Sequence, residues 1–398
     1  MSSSVEHKPS LQPSPEPTVA ESGWRTGRLA RVLPVLGSLQ GYVGLVLVVL
    51  LGILTKHDVF LNQQNLTNAI GAFSSRGILA VGETLVILAA GIDLSVGSLL
   101  GIASLTSAML LVHGLDPWQI VLGSMLVGAF FGFCNGAGTA WLRIQPFVMT
   151  LATLTIVRGI DRQVSNNVSV GTQLIGANGQ LSPKSNAFQA FGTPGHNLLQ
   201  GVPLPIVGRA GIYYPVVALV AVVVVFQLVL SKTRFGRHIY AVGGNPTAAR
   251  LSGVNVTFVL IAVFALSGLL AGFAGPIDAA YSASADPLAG TSYELDAIAA
   301  AVIGGASLAG GKGTIVGTFV GALILTLLDN VLGLNAISDN YQLIIKGLIV
   351  IVAVVLQRPA LLTDLRSGLR RRVRRAPASA VSPSDRDSST GNSGRTTS

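Results

Sequence analysis

Two carboxylates, Glu83 and Asp93, stand in an otherwise apolar stretch, A-V-G-E-T-L-V-I-L-A-A-G-I-D-L-S-V-G-S-L. A charge in hydrocarbon costs several kcal/mol unless it is paired or wet, so such groups are functional candidates by default. Ser95 follows Asp93 by two positions, and the pattern also suits an aspartate capping a helix that begins at Leu94. The two roles are compatible, because a broken helix at membrane depth is tolerated where it is buried in protein or lines a cavity. A second cluster, Y-E-L-D-A-I-A-A-A-V-I-G-G-A-S-L-A-G-G-K-G, sets Glu294 and Asp296 at the mouth of an apolar segment and Lys312 at its far end. Two residues apart on a helix, the carboxylates point to different faces, so one can face a partner or lumen while the other caps. The glycines from Gly304 to Gly313 read as close helix packing or as a flexible turn coupling two spans.

Other chemistries are poorly served. A phosphate-binding loop ending at Lys312 would need glycine where Ala306 stands and a hydroxyl where Gly313 stands. The histidines, His7, His57, His113, His196 and His238, are scattered and form no metal-ligand cluster. The serines have no helix-borne His or Asp at useful spacing, and the single cysteine, Cys134, sits in an apolar run as a packing residue. An enzyme with its own ATPase site is a poor reading.

The elements that must hold these groups are membrane helices. Half of the residues are hydrophobic, 11% are charged, and there are 47 glycines; mean hydropathy is +0.63. Such usage predicts an all-α, polytopic membrane protein. Ten apolar segments approach the length of a span, at 39–54, 67–90, 94–112, 118–142, 147–160, 213–230, 256–280, 294–311, 314–333 and 341–357. A transmembrane domain over 36–358 follows, with tails 1–35 and 359–398 too poor in apolar residues to fold. The N-terminal tail has no signal-peptide pattern.

Three basic stretches fix the orientation. They are Arg25, Arg28 and Arg31; the island 232–255 with Lys232, Arg234, Arg237 and Arg250; and the run from Arg358 to Arg375. The positive-inside rule places all three, and both termini, in the cytoplasm, which requires an even number of spans before the island. The segment 161–211, poor in Lys and Arg, then falls outside. The net charge of +9 belongs largely to these edges and reports topology; the C-terminal run suits an anionic inner leaflet, not a nucleic acid. An Ala/Gly-rich run meets an asparagine in both halves, at Asn135 and Asn330, which predicts two pseudo-repeated halves with these residues at equivalent depths.

Three blocks resemble a known family: G-I-D-L-S-V-G-S from Gly91, F-G-R-H-I-Y-A-V-G-G-N-P-T-A-A-R-L-S-G-V-N from Phe235, and the cluster from Tyr293 to Gly313. The chain resembles the permease subunit of ribose-, xylose- and galactose-type ATP-binding-cassette sugar importers over about Leu61 to Leu356. The resemblance implies a ten-helix permease of the bacterial inner membrane, working as a homodimer with a separate cytoplasmic ATPase and an external sugar-binding protein. ATP and Mg would be bound by the ATPase, with no cofactor in this chain. It also implies that Gly243, Gly244, Asn245, Ala248, Ala249, Arg250, Leu251, Ser252 and Gly253 form a coupling helix seated in the ATPase. Pro246 suits its start and Gly253 its stop. A hydroxyl-rich substrate moving by alternating access favours a path through Glu83, Asp93, Ser95, Asn135, Glu294, Asp296 and Asn330. The chain departs from the family at Pro246 and Thr247, where acidic or small residues are usual, and in its longer 161–211 segment. A proton-coupled permease, with Glu83 and Asp93 as carriers, is the alternative of a different class.

Overall fold

The computed structural model describes residues 29–176, 179–192, 197–198 and 212–356. The expected tail 359–398 lies outside these residues, as do residues 1–28, the basic run from Arg358 to Arg375, and parts of the 161–211 segment. Residues 29–35, expected as tail, lie at the start of a helix that runs on to Phe60, with Pro34 in its second turn.

In chain order the elements are α1 (Leu29–Phe60), α2 (Gln63–Leu88), α3 (Val96–Val112), α4 (Pro117–Ala140), α5 (Pro146–Val164), β1 (Val170–Gly171), α6 (Pro183–Gln189), β2 (Asn197–Leu198), β3 (Ile212–Tyr213), α7 (Tyr214–Lys232), α8 (Arg234–Gly244), α9 (Pro246–Leu251), α10 (Val256–Tyr281), β4 (Ser284–Ala285), α11 (Tyr293–Ile303), α12 (Ile315–Leu334) and α13 (Asp339–Leu356). The chain divides into two compact units, Met1–Asn335 and Ala336–Ser398, and α13 belongs to the second.

Each expected apolar segment carries a helix, but not every helix qualifies as a span. Among the described residues six are long and apolar enough to cross a membrane: Tyr42–Phe60 within α1, then α2, α4, α7, α10 and α12. Of the rest, α3 is apolar but has 17 residues, α5 carries Arg158, Asp161 and Arg162, and α11 stops after 11 residues. The expected span 294–311 is therefore shorter than its apolar run. Gly305, Gly310 and Gly311 have positive φ, and the chain turns there before α12.

Local signals start the helices where the sequence supplies them. Asn62, Asn245, Asn255 and Thr314 accept backbone N–H groups of the first turns of α2, α9, α10 and α12, and proline opens α4, α5, α6, α7 and α9. Packing is then set by small residues. The central helix, α10, crosses α4 with Gly268 and Gly272 against Gly128 and Gly132, so closely that a Cβ at Gly128 would overlap the Gly268 carbonyl. Close backbone approach of this kind is how helices associate where lipid removes the hydrophobic drive. Large apolar side chains face outward instead: Leu54, Leu126, Phe130, Trp141 and Leu142 are all well exposed. In water such a surface would aggregate; in a bilayer it is solvated.

Beyond α5 the described chain folds over the ends of α3, α4 and α10. β1 pairs antiparallel with β4, and Phe188 of α6 is buried among Leu111, Ile120, Ala279 and Ala280. Lys184 ties α6 to Asp116 at 3.0 Å.

Candidate functional site

Between α2 and α3 the backbone leaves the helix for Gly91 to Ser95, and polar side chains from four helices close around it. Glu83 accepts the Asp93 backbone N–H at 3.2 Å. One Asp93 oxygen accepts the backbone N–H and the hydroxyl of Ser95, at 3.0 and 2.6 Å, and the other accepts Ser267 Oγ of α10 at 3.1 Å. Asn135 of α4 donates to Ser95 Oγ at 2.9 Å and accepts Thr153 Oγ1 of α5 at 2.6 Å. Thr150 donates to the Ile92 carbonyl at 3.2 Å. Glu83, Asp93, Ser95 and Asn135 are each 0% exposed. The helix starts at Val96, two residues after the expected Leu94, because Asp93 folds its side chain over Ser95 first.

This node supports the non-helical backbone from all sides, as such a break requires. Ser267 lies near the middle of the 26-residue α10, which sets the node at mid-depth. One Glu83 oxygen, Oε2, is buried with no hydrogen-bond partner, at a cost of about 1–3 kcal/mol. In this conformation the node is a joint of five elements and is closed to solute.

The remaining expected path residues separate from it. Asn330 exchanges amide hydrogen bonds with Asn65, at 2.7 and 3.0 Å, at the start of α2. Asn135 joins the node near the end of α2, so the two asparagines sit at opposite ends of that helix and not at equivalent depths. The reason is direction: α12 runs from Thr318, bonded to Thr84 at 2.7 Å, back to Asn65, antiparallel to α2, whereas α4 runs toward the node. Asp296 lines a recess of about 10 Å³ with Arg76 and Thr326. Such a volume holds about one water. Arg76 pairs with Asp329 at 2.7 Å and lies 4.8 Å over the Tyr293 ring. The Glu294 carboxylate rests against Gly97, two residues beyond Ser95 of the node.

The island 232–255 becomes two helices. The amphipathic α8 buries Gly236, Ile239, Val242 and Gly243. Its end locks onto the end of α2: a Cβ at Gly243 would overlap the Leu88 carbonyl, which accepts Gly311 N–H at 3.0 Å, and Tyr240 donates to the Gly313 carbonyl at 2.8 Å. The glycine turn after α11 thus serves as the seat of α8. Asn245 caps α9 by accepting Ala248 N–H at 2.9 Å, Ser252 ends it, and Gly253 turns away at φ 84°. Ala249 is buried, whereas Gly244, Ala248 and Arg250 are exposed and Leu251 is 85% exposed. The outer face of α9 thus carries a large apolar side chain beside an arginine.

Residues 65–354 match the family described as branched-chain amino acid transport system, permease component. The chain belongs to this permease family. Among its relatives, the ribose import permease of Escherichia coli K12 is 41% identical over 311 residues, 78% of this chain and 90% of the relative. The ribose import permease of Bacillus subtilis is 39% identical over 325 residues, 81% and 94% of the two chains, and the galactose/methyl galactoside import permease of Escherichia coli K12 is 38% identical over 331, 80% and 93%. No solved structure matches the chain.

Within the permease, several members of these clusters escape a reading of the sequence. Ser267, Thr150 and Thr153 sit in ordinary apolar helices, where hydroxyls commonly bond their own backbone. Arg76 carried a usable signal, a lone arginine in the apolar segment 67–90, and the rule that singled out Glu83 applies to it equally.

Proposed function

We propose that this permease is the membrane subunit of an ATP-binding-cassette importer that moves a monosaccharide inward, driven by a separate ATPase. The observation that carries the reading is the island: α9 presents Leu251 and Arg250 outward while α8 is locked by backbone contact to the end of α2, five residues beyond Glu83. Force applied to α9 reaches the mid-depth node through one rigid helix. The sugar names of the relatives support the substrate class, a pentose or hexose.

In this reading ten helices cross the membrane, α3, α5, α11 and α13 completing the six that qualify by length and composition, with both termini cytoplasmic. Two copies pair around the path, an external binding protein delivers the sugar, and ATP and Mg are held by the ATPase. The Gly304–Gly313 segment follows a helix instead of a strand and seats α8, which supports the reading that ATP is held by the partner. The polar node is the element that rearranges: its hydrogen bonds hold α2, α3, α4, α5 and α10 in one arrangement, and ATPase closure shifts the population to another.

The test is uptake by proteoliposomes containing the full chain with and without its ATPase and ATP. Uptake of ribose or galactose is expected only with both. Proton-driven uptake by the chain alone would replace this reading with a secondary permease. Arg250→Glu is expected to lower ATP-driven uptake while the chain still inserts.

A further inference from the structure

Before α11 the chain enters the membrane without being helical. Gly97 touches the Gly290 carbonyl and Glu294, and Gly101 touches Ala289, Arg158 and Asp161. Both glycines lie on α3 between two fixed levels of α10, the Asp93 contact with Ser267 and the Ala103 contact with Gly275. Ala289 and Gly290, within the irregular stretch from Asp286 to Ser292, therefore lie near mid-depth. Such backbone is tolerated only against protein or beside a water-filled cavity, and half-helices of this kind frame transporter binding sites.

One side of the segment is protein. Arg158 donates to the Pro287 and Ala289 carbonyls at 3.0 and 2.8 Å, and Asp161 stands 3.8 Å from the same nitrogen. Asp161 is 0% exposed, and neither of its oxygens has a hydrogen-bond partner. The other side is open: a cleft of about 280 Å³ is lined by Arg162, Asn167, Ser169, Asp286, Pro287 and Leu288. Its size is close to the lower bound of about 300 Å³ for small-molecule pockets.

The geometry points to this cleft, at the α5–β4 junction, as an entry subsite for a neutral polyhydroxylated sugar, with Arg162 and Asn167 donating to hydroxyls and Arg158 and Asp161 as positioning residues behind the wall. Among its lining side chains the cleft has donors in Arg162 and Asn167 and a carboxylate acceptor in Asp286. Asp286 accepts Ser169 Oγ at 3.0 Å and Leu288 N–H at 2.7 Å, one hydrogen bond on each oxygen, which leaves each oxygen a further lone pair for a sugar hydroxyl. Apolar lining is confined to Pro287 and Leu288, too little to select an aliphatic side chain. Arg158 pins the irregular backbone through its two carbonyl contacts, and Asp161 stands beside the same guanidinium nitrogen. The assignment rests on the importer reading, because the cleft faces outside only in that topology.

The test uses the full chain with its ATPase and binding protein, and D-ribose, D-galactose and L-leucine as probes. In a Cys134→Ala background, Arg162→Cys is expected to react with a charged, membrane-impermeant thiol reagent from outside, and saturating D-ribose or D-galactose is expected to slow that reaction several-fold. Arg162→Ala is expected to lower the maximal uptake rate about tenfold, the scale of one charge-assisted hydrogen bond, while Gln163→Ala, exposed one residue further on, keeps wild-type uptake. If the wild type imports a sugar but neither sugar protects the cysteine and Arg162→Ala imports normally, the subsite falls and the importer stands. If the wild type imports leucine alone, or no probe with ATP, the importer reading falls and the subsite with it.

Discussion

At the scale of single residues the node is a chain of hydrogen bonds in which Asp93, Ser95 and Asn135 each bond two neighbours. Asn135 donates to Ser95 and accepts from Thr153, so Asn135→Ala takes the acceptor from the buried Thr153 hydroxyl and the donor from Ser95 Oγ, which keeps its bond to Asp93. Each such loss costs about 1–3 kcal/mol, and a lowered unfolding temperature in detergent, followed by tryptophan fluorescence, is the expected result. Arg76 and Asp329 pair across α2 and α12 at 2.7 Å, only partly exposed. A double-mutant cycle with Arg76→Gln and Asp329→Asn is expected to return a coupling of about 0.5–3 kcal/mol; additive effects would reduce the pair to a spectator. Residue type alone pointed to Glu83, Asp93, Ser95 and Asn135, because polar groups are conspicuous among Leu and Ala. It did not point to Ser267 or Thr153, nor to the pairing of Asn330 with Asn65, since partners far apart in the chain leave no local trace.

Among the elements, glycine placement decides which helices touch and which stay free, and the island offers a sharp comparison. Gly243 faces the Leu88 carbonyl with no room for a methyl group, whereas a methyl group on Gly244, the next residue, would meet nothing within 4 Å. Gly243→Ala must push α8 off the end of α2. ATP-driven uptake is expected to fall about 5- to 150-fold, the range of an ordinary coupling free energy, while the ATPase still binds the exposed α9 in a pull-down. Gly244→Ala is expected to import at the wild-type rate. Apolar runs located every long helix, but not where α11 ends: hydropathy stays high through Gly304 and Ala306, and the stop comes from left-handed glycines whose conformation no hydropathy pattern records. The split of the island into α8 and α9 was nearer the surface of the sequence, since Asn245 followed by Pro246 is a strong helix start.

For the whole molecule the ruling question is which groups share a side of the membrane. Val168, 64% exposed, follows α5, and Thr247 is exposed at the start of α9. Between them the only helix long and apolar enough to cross, among the described residues, is the 19-residue α7. One crossing puts the two positions on opposite faces, and by the positive-inside rule the lysine and arginines of the island are expected to keep Thr247 on the cytoplasmic one. Cys134 is the single cysteine, so Cys134→Ala gives a blank background for Val168→Cys and Thr247→Cys. In intact cells a membrane-impermeant maleimide is expected to label Val168→Cys and spare Thr247→Cys, and in inverted vesicles the pattern is expected to reverse. Adding the ATPase to those vesicles should then slow labelling of Thr247→Cys, because the same α9 surface would be covered. Labelling of both positions from one side would remove α7 as a span and, with it, the separation of an outer sugar entry from an inner site of ATPase docking.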